Sequence, residues 1–396
     1  MNALDGTVVL DLTRLLPGPL ATLQLADHGA EVIKIEDIGK GDYARREMAF
    51  GISMSHLFHA LNRGKKSAAI DLRADAGREA FLKLVATADV VVESFRPGVL
   101  DRLGIGYDQL KEVKNDIILC SITAYGQTGP YRDQAGHDIN MCGYAGVSDQ
   151  LGFENGAPAP SNFQIGDIAG GSLTATTAIL MALLKRDRTQ DGAHIDVSIT
   201  DSLFAYNLLP FTNAQLFQKS PERGADILTG GLGCYGYYET SDGGYMAVGA
   251  LEPKFWQAFC RKLDREDLIE EHLKFGDEAA SLKQTLKEVF KTRTRDEWAA
   301  FLGDADCCIT PVLTPLEAQN DPQIKSRGLL YTSEDPVDGE MLRLVNPIRM
   351  NGAAPAPAAP APRLGEHTDE ILGQAGYDGK GIAALYETGV VKSEQP

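Results

Sequence analysis

The chain has 396 residues, 43% of them hydrophobic and 23% charged. It exceeds the size at which one hydrophobic core stops growing, so two domains are expected. A formal charge of −17 argues against non-specific binding to nucleic acid or an anionic membrane surface, since both draw on surplus Lys and Arg. The six cysteines lack metal-ligand spacing, and Cys307 and Cys308 are adjacent; reduced thiols in a cytoplasmic protein are expected. No signal segment is apparent, and no apolar run reads as long enough to span a bilayer.

In chain order the first elements are strand, loop, helix, strand. Thr7–Leu12 is a short apolar run suited to a buried parallel strand. A Pro17-Gly18-Pro19 turn follows, then a helix over Leu20–Ala30 and a strand over Glu31–Glu36. The turn after the first strand lacks G-x-G-x-x-G, which removes the nicotinamide reading and leaves a Rossmann-like topology without its dinucleotide fingerprint. Lys66–Leu72, Asp89–Glu93 and Asp116–Ile122 read as further strands, with a helix over Arg78–Ala88, so the βα alternation continues.

Around these strands lie Arg45-Arg46, Asn62-Arg63-Gly64-Lys65-Lys66, Arg96-Pro97-Gly98 and Arg102. Basic residues gathered at strand ends in an acidic protein suggest phosphate capture, because open α/β sheets bind ligands beyond the carboxyl ends of their strands. Solvated charge on helix faces is the plainer account of any one of them. His56 and His59, at i and i+3 on an expected helix, have no third metal ligand in view, and packing accounts for them.

A loop from Tyr125 to Tyr131 leads to Gly136-His137-Asp138-Ile139-Asn140. Thirty residues on, Gly166-Asp167-Ile168-Ala169-Gly170-Gly171 precedes a helix expected to run through Leu184. Asp167 could therefore be only a helix cap, and Asp138 could be a turn cap or a ligand contact. A second long apolar stretch, Ile195–Leu209, reads as strand then helix. From about Gly224 to Thr310 a smaller domain is expected, with a hairpin turning at Asp242-Gly243-Gly244 and helices over Lys254–Leu263, Ala280–Lys291 and Arg295–Leu302. A stiff Pro/Ala connector, Ala353–Pro362, leads to a short terminal helix.

Three motifs in register carry a resemblance. Gly136–Asn140, Gly166–Gly171 and Glu252-Pro253-Lys254-Phe255 are similar in order and spacing to the class III coenzyme A transferase (CaiB/BaiF) superfamily, and within it to the α-methylacyl-CoA racemases. The resemblance implies an α/β fold, with a Rossmann-like parallel-sheet large domain plus a smaller α/β domain, in an interlocked homodimer. Residues 1–205 would form the large domain's first part, 206–329 the linker and small domain, and 330–396 a return segment completing the large domain. His137 and Asp167 would exchange a proton at the α-carbon of an acyl thioester, with Glu252 orienting the histidine. The backbone near Asp138 would receive the enolate oxygen, and Arg96, Arg102, Lys65 and Arg45 would hold coenzyme A.

No metal or redox cofactor is implied; coenzyme A enters as part of the substrate. The alternative within the superfamily is a CoA transferase, in which Asp167 would be the nucleophile of anhydride and thioester intermediates. The presence of His137, and Leu228-Thr229-Gly230-Gly231-Leu232-Gly233 in place of a glycine run, favour the racemase. Met141 stands where racemases commonly have tyrosine, so the acyl group is open among branched fatty acids, bile-acid-like chains and small dicarboxylates.

Overall fold

A computed structural model describes residues 2–46, 52–352 and 358–394. The chain divides into two units: residues 1–145, 163–206 and 323–396 form the larger, and 146–162 with 207–322 the smaller. Gly146–Asn162 thus joins the smaller unit, whereas the sequence reading kept it in the large domain. Part of the expected Pro/Ala connector, residues 353–357, lies outside the described residues.

The larger unit is built on β1 (Val8–Asp11), β2 (Glu31–Glu36), β3 (Lys66–Ile70), β4 (Val90–Glu93), β5 (Ile118–Thr123) and β6 (Ala193–Ser198). These six pair in parallel in the order β3-β2-β1-β4-β5-β6, and the C-terminal strand Val391–Lys392 adds antiparallel to the β3 edge. Such strands are covered on both faces, which is why they read as nearly continuous Val/Ile/Leu runs. On one face Leu10, Ile33, Ile70, Val91 and Leu119 pack with Phe81, Leu84, Ile371 and Leu385 from helices. The edge strand and the hairpin Leu330–Asp335/Gly339–Leu344 were not anticipated; the first is too short to show a period, and the second alternates on a surface.

The helix after β1 spans Pro17–Asp27 and begins with proline at its first position. Pro17-Gly18-Pro19 is therefore the helix's first turn and not a separate turn before it, as expected of a ring that needs no N–H partner there. A Cβ on Gly18 would run into the Thr13 side chain, so the loop can fold onto the helix only over glycine.

Beneath that loop lies an ionic layer of three acids and three bases, all buried: Asp11, Glu36, Asp42, Lys34, Arg45 and Lys65. Lys65 Nζ donates to Asp11 Oδ2 (3.1 Å), Pro19 O (2.9 Å), Thr22 Oγ1 (2.8 Å) and Asn62 Oδ1 (2.9 Å). Lys34 Nζ meets Asp42 Oδ2 at 3.0 Å and Thr13 O at 2.8 Å. Arg45 grips Glu36 through Nε (2.7 Å) and NH2 (2.6 Å) and donates to Pro362 O (2.9 Å). Burial alone would push Asp11 up, yet Lys34 and Lys65 hold it well below the usual carboxylate range. Burial brings the Lys65 ammonium down to about 8 despite Asp11.

One continuous helical stretch, Gly166–Thr189, is long and apolar enough by length and composition to cross a bilayer, contrary to the expectation that no run reaches that mark. Ala175, Ile179, Ala182 and Leu183 are buried in the larger unit, and the stretch ends in charged residues 185–188, so it reads as a core helix.

In the smaller unit, Tyr235–Glu239 and Tyr245–Gly249 form the expected hairpin, and Ile309–Pro311 extends it antiparallel. Helices Pro253–Lys262, Ala279–Phe290 and Arg295–Leu302 close over Trp256, Phe259, Phe290 and Trp298, all buried. Both indole N–H groups find backbone acceptors, Leu268 O and Phe290 O, each at 2.9 Å, so burying them leaves no polar group unpaired.

Replacing Lys65 by methionine removes one cation from the layer and leaves Asp11 buried with less compensation. A loss of about 3–5 kcal/mol in urea unfolding is expected, with CoA affinity of the folded variant changed less than about twofold; a phosphate ligand would instead lose about tenfold in affinity at little cost in stability.

Candidate active site

His137 stands immediately before the helix Asp138–Tyr144, and its backbone N–H donates to Asn140 Oδ1 at 3.0 Å. This bond folds the G-H-D-I-N motif into a capped helix start, which is the local reason for asparagine three residues after the histidine. Asp167 lies in the first turn of a π-helical segment, Gly166–Leu173, that runs directly into Thr174–Thr189. It is inside the helical turn and not a residue just before it, so the plain capping role does not apply.

The glycines of the second motif permit close packing. A Cβ on Gly171 would lie 2.8 Å from Pro17 Cβ, and one on Gly170 2.9 Å from Ile199 O. Ser172 Oγ donates to Pro17 O at 2.7 Å. Asp167 is thereby pinned against the loop that follows β1.

These segments wall a cavity of about 520 Å³ in the larger unit, lined by His137, Asp167, Met141, Ile199, Tyr43, Phe95 and Tyr125 together with Arg14, Arg96 and Arg132. It opens beyond the carboxyl ends of β1, β4 and β5, where parallel sheets place ligands. Burial first, and then the charge of Asp138, push the Asp167 carboxyl up to about 6, while His137 draws it down. Its acid form is therefore available near neutrality, which an ordinary aspartate's is not.

The three guanidiniums give the cavity a positive rim. Arg14 donates to Tyr43 Oη at 2.9 Å and stacks over the rings of Tyr43 and Phe95. Arg96 and Arg102 form no ion pair among the described residues, and both are exposed. Arg132 and Arg102 converge over the Pro97-Gly98 turn, each with a guanidinium nitrogen 3.3 Å from where a Gly98 Cβ would sit. Arg96 also faces a smaller polar cavity of about 220 Å³ that contains Glu93, Ser121 and His194; burial pushes Glu93 up to about 7.

The structure thus brings His137, Asp167 and Arg96 to one cavity and sets Asp138 and Arg102 beside it. It takes Arg45 and Lys65 out of the expected ligand set, because both are buried with their donors engaged in the ionic layer, and Lys65 enters β3 at its amino end. Glu252 belongs to the smaller unit, where it precedes the helix Pro253–Lys262.

Arg14 and Arg132 were missed. Each stood in a loop already marked by glycine and proline, and that placement was the available signal. His59, which had no third ligand in sight, faces Asp338 at 2.9 Å and Asp335 at 3.6 Å. Arg363 bridges the same two carboxylates, so the group is a buried ion network tying the C-terminal hairpin to helix His56–Asn62.

The chain belongs to CoA-transferase family III, which matches residues 4–368; it is a family of enzymes acting on acyl-CoA thioesters. It is 33% identical over 395 residues to the α-methylacyl-CoA racemase of Mus musculus, covering 99% of this chain and 98% of that one. It is equally 33% identical over 403 residues to the succinyl-CoA:glutarate CoA-transferase of Homo sapiens, covering 100% and 91%. A CaiB/BaiF family protein from Brucella suis, known from its crystal structure, superposes with a TM-score of 0.81 at 32% identity, covering 95% of this chain and 100% of that one.

Arg96→Met and Arg132→Met are each expected to weaken binding of free CoA about tenfold. In isothermal titration the wild-type affinity should also fall with added salt, and less steeply in either variant.

Proposed function

We propose that this chain is a racemase or epimerase of 2-methylacyl-CoA thioesters, working by proton transfer between His137 and Asp167. The observation that carries this reading is the pair itself: a histidine and an aspartic acid with a raised proton affinity, on the wall of one cavity rimmed by guanidiniums. A hydrogen α to a thioester carbonyl is weakly acidic, so inversion needs a base on one face and an acid on the other. His137 removes the proton from one enantiomer, and protonated Asp167 delivers one to the opposite face of the enolate. The roles reverse for the other enantiomer. A backbone N–H near Asp138 receives the enolate oxygen, and Arg96, Arg132 and Arg14 hold the phosphates, with Arg102 beside them. The reading requires no metal or redox cofactor, and we propose with it that the protein works in the cytoplasm.

The second reading is a CoA transferase with Asp167 as nucleophile, supported by the equal likeness to transferases. A nucleophilic carboxylate works ionised, so an aspartate whose proton affinity is raised suits the racemase better.

Incubation with a chiral 2-methylacyl-CoA in D2O should exchange the α-hydrogen while the stereochemistry scrambles, and His137→Ala should reduce both at least about a hundredfold. Absence of exchange across several acyl chains, with hydroxylamine inactivating the enzyme at Asp167 only when acyl-CoA is present, would overturn the racemase in favour of the transferase.

The proposal extends to a homodimer in which Glu252 of a second chain orients His137. Its support in the larger unit is an exposed apolar stripe, Leu173, Leu180, Met181 and Leu184, on one face of the long helix, with Phe204 and Tyr206 from the next. Such a stripe is uncommon on a monomer's surface. Sedimentation should give twice the chain mass; a fully active monomer is the result that contradicts it.

A further inference from the structure

On the resemblance, the backbone near Asp138 receives the enolate oxygen, and its side chain was read as a turn cap or a ligand contact. Its side chain does something else. Asp138 Oδ1 accepts the backbone N–H of Asp167 at 3.0 Å, and the thiol of Cys142 lies 3.7 Å from Oδ2. No cation pairs with this carboxylate in the ion pairs of the described residues. Gly166 completes the fit: a Cβ there would stand 2.9 Å from Asp138 Oδ1 and 3.4 Å from Leu203 Cδ1, so glycine before Asp167 is what lets the carboxylate reach in.

We propose that Asp138 is a positioning residue for Asp167: its carboxylate anchors the Asp167 backbone and, as a second negative charge at the same wall, decides how readily Asp167 keeps its proton. The proposal rests on the racemase reading for its kinetic consequence but not for its structural one. Two carboxyls stand at one half-buried wall. Asp138 accepts the Asp167 N–H, and after burial its charge is the next cause that pushes the Asp167 carboxyl up; Asp167 is the member that lines the cavity.

The other titratable or charged groups on the cavity wall with Asp167 are His137, which opposes the effect, Tyr43, Tyr125, Arg14, Arg96 and Arg132; beside Asp138, burial pushes the Cys142 thiol up to about 11, so that it stays neutral. Pro17, Ile199 and Leu203 pack against the glycines that flank Asp167.

The consequence is kinetic. When Asp167 acts as acid it gives its proton to the enolate carbon and becomes a carboxylate; when it acts as base it takes the α-proton back. Removing the charge of Asp138 lowers the share of protonated Asp167 at neutral pH, and because a catalyst leaves the equilibrium between the enantiomers unchanged, kcat/KM falls by the same factor in both directions.

Asp138→Asn keeps an oxygen to accept the Asp167 N–H and removes the charge, while Asp138→Ser removes the charge and shortens the reach. The test follows initial rates from each enantiomer against pH, together with direct titration of Asp167 by NMR of carboxyl-labelled aspartate in the unliganded protein. In Asp138→Asn the Asp167 midpoint should move to lower pH, by about one unit, and kcat/KM at pH 7 should fall by the same factor from either enantiomer, up to about tenfold. Asp138→Ser should show the same shift with a further loss in both directions from the lost anchor. An Asp167 titration that superposes on wild type in either folded variant overturns the proposal, whatever the enzyme's reaction. A shifted titration with no racemisation in wild type would keep the proposal and sink only the racemase reading.

Discussion

The neutral cluster of three acids and three bases under the β1 loop is the constraint on which the cavity depends. Charges removed from water are tolerated only when paired and saturated with hydrogen bonds, so each partner dictates the path of the chain around it. Asp42 shows how. Its Oδ1 accepts the Leu15 N–H at 3.0 Å while Lys34 holds its other oxygen, and Leu15 is drawn into a left-handed conformation with φ of +65°. A leucine adopts such a backbone only where its surroundings impose it. The outcome is a loop that turns Arg14 toward the cavity and sets Pro17 where Gly171 and Ser172 can rest on it. Asp167 is thus held, through two layers of packing, by a salt network none of whose members lines the cavity.

That network also explains which parts of the site were legible in the sequence. His137, Asp167 and Arg96 announce themselves because their neighbours are glycine, asparagine and proline, residues whose backbone roles restrict where they can stand. Arg45 and Lys65 looked like equally good anion ligands, since a string of basic residues reads alike whether it faces water or a buried carboxylate. What separates them is Asp11 and Glu36, each the last residue of a strand, and Asp42 in the loop that follows the second; a run of apolar positions gives no sign that the acid at its end is buried. The central parallel strands were read nearly to the residue because they are buried on both faces. The edge strand Val391–Lys392 and the hairpin around Asp335 were not, because two residues show no period and a half-exposed ribbon shows a weak one.

The smaller unit was predictable for a different reason. Its hairpin is closed by Asp242-Gly243-Gly244, with Gly243 at φ of +81° and Thr240 N–H donating to Gly244 O at 2.8 Å, a turn that few other sequences can make. Its three helices carry apolar faces, and Arg295–Leu302 opens on a capping box of Thr294 and Glu297. Glu252 has no comparable local signature; only its place between a strand and the proline that opens the next helix marks it, and the resemblance supplied the rest.

Racemase and transferase chemistry place opposite demands on one carboxyl group. A nucleophile must be ionised and reachable, and the usual way to achieve that is a nearby cation or a set of N–H donors aimed at the side chain. His137 is the group that draws the Asp167 proton affinity down, while the N–H of Asp167 itself goes to Asp138. Half-burial and an adjacent acid then act together to keep a proton within reach at neutral pH. His137 opposes them, but an imidazole that alternates between base and acid cannot remain a fixed positive charge. With its pKa raised to about 6, Asp167 can both donate and accept a proton near neutrality, which is what the proposed racemisation asks of it.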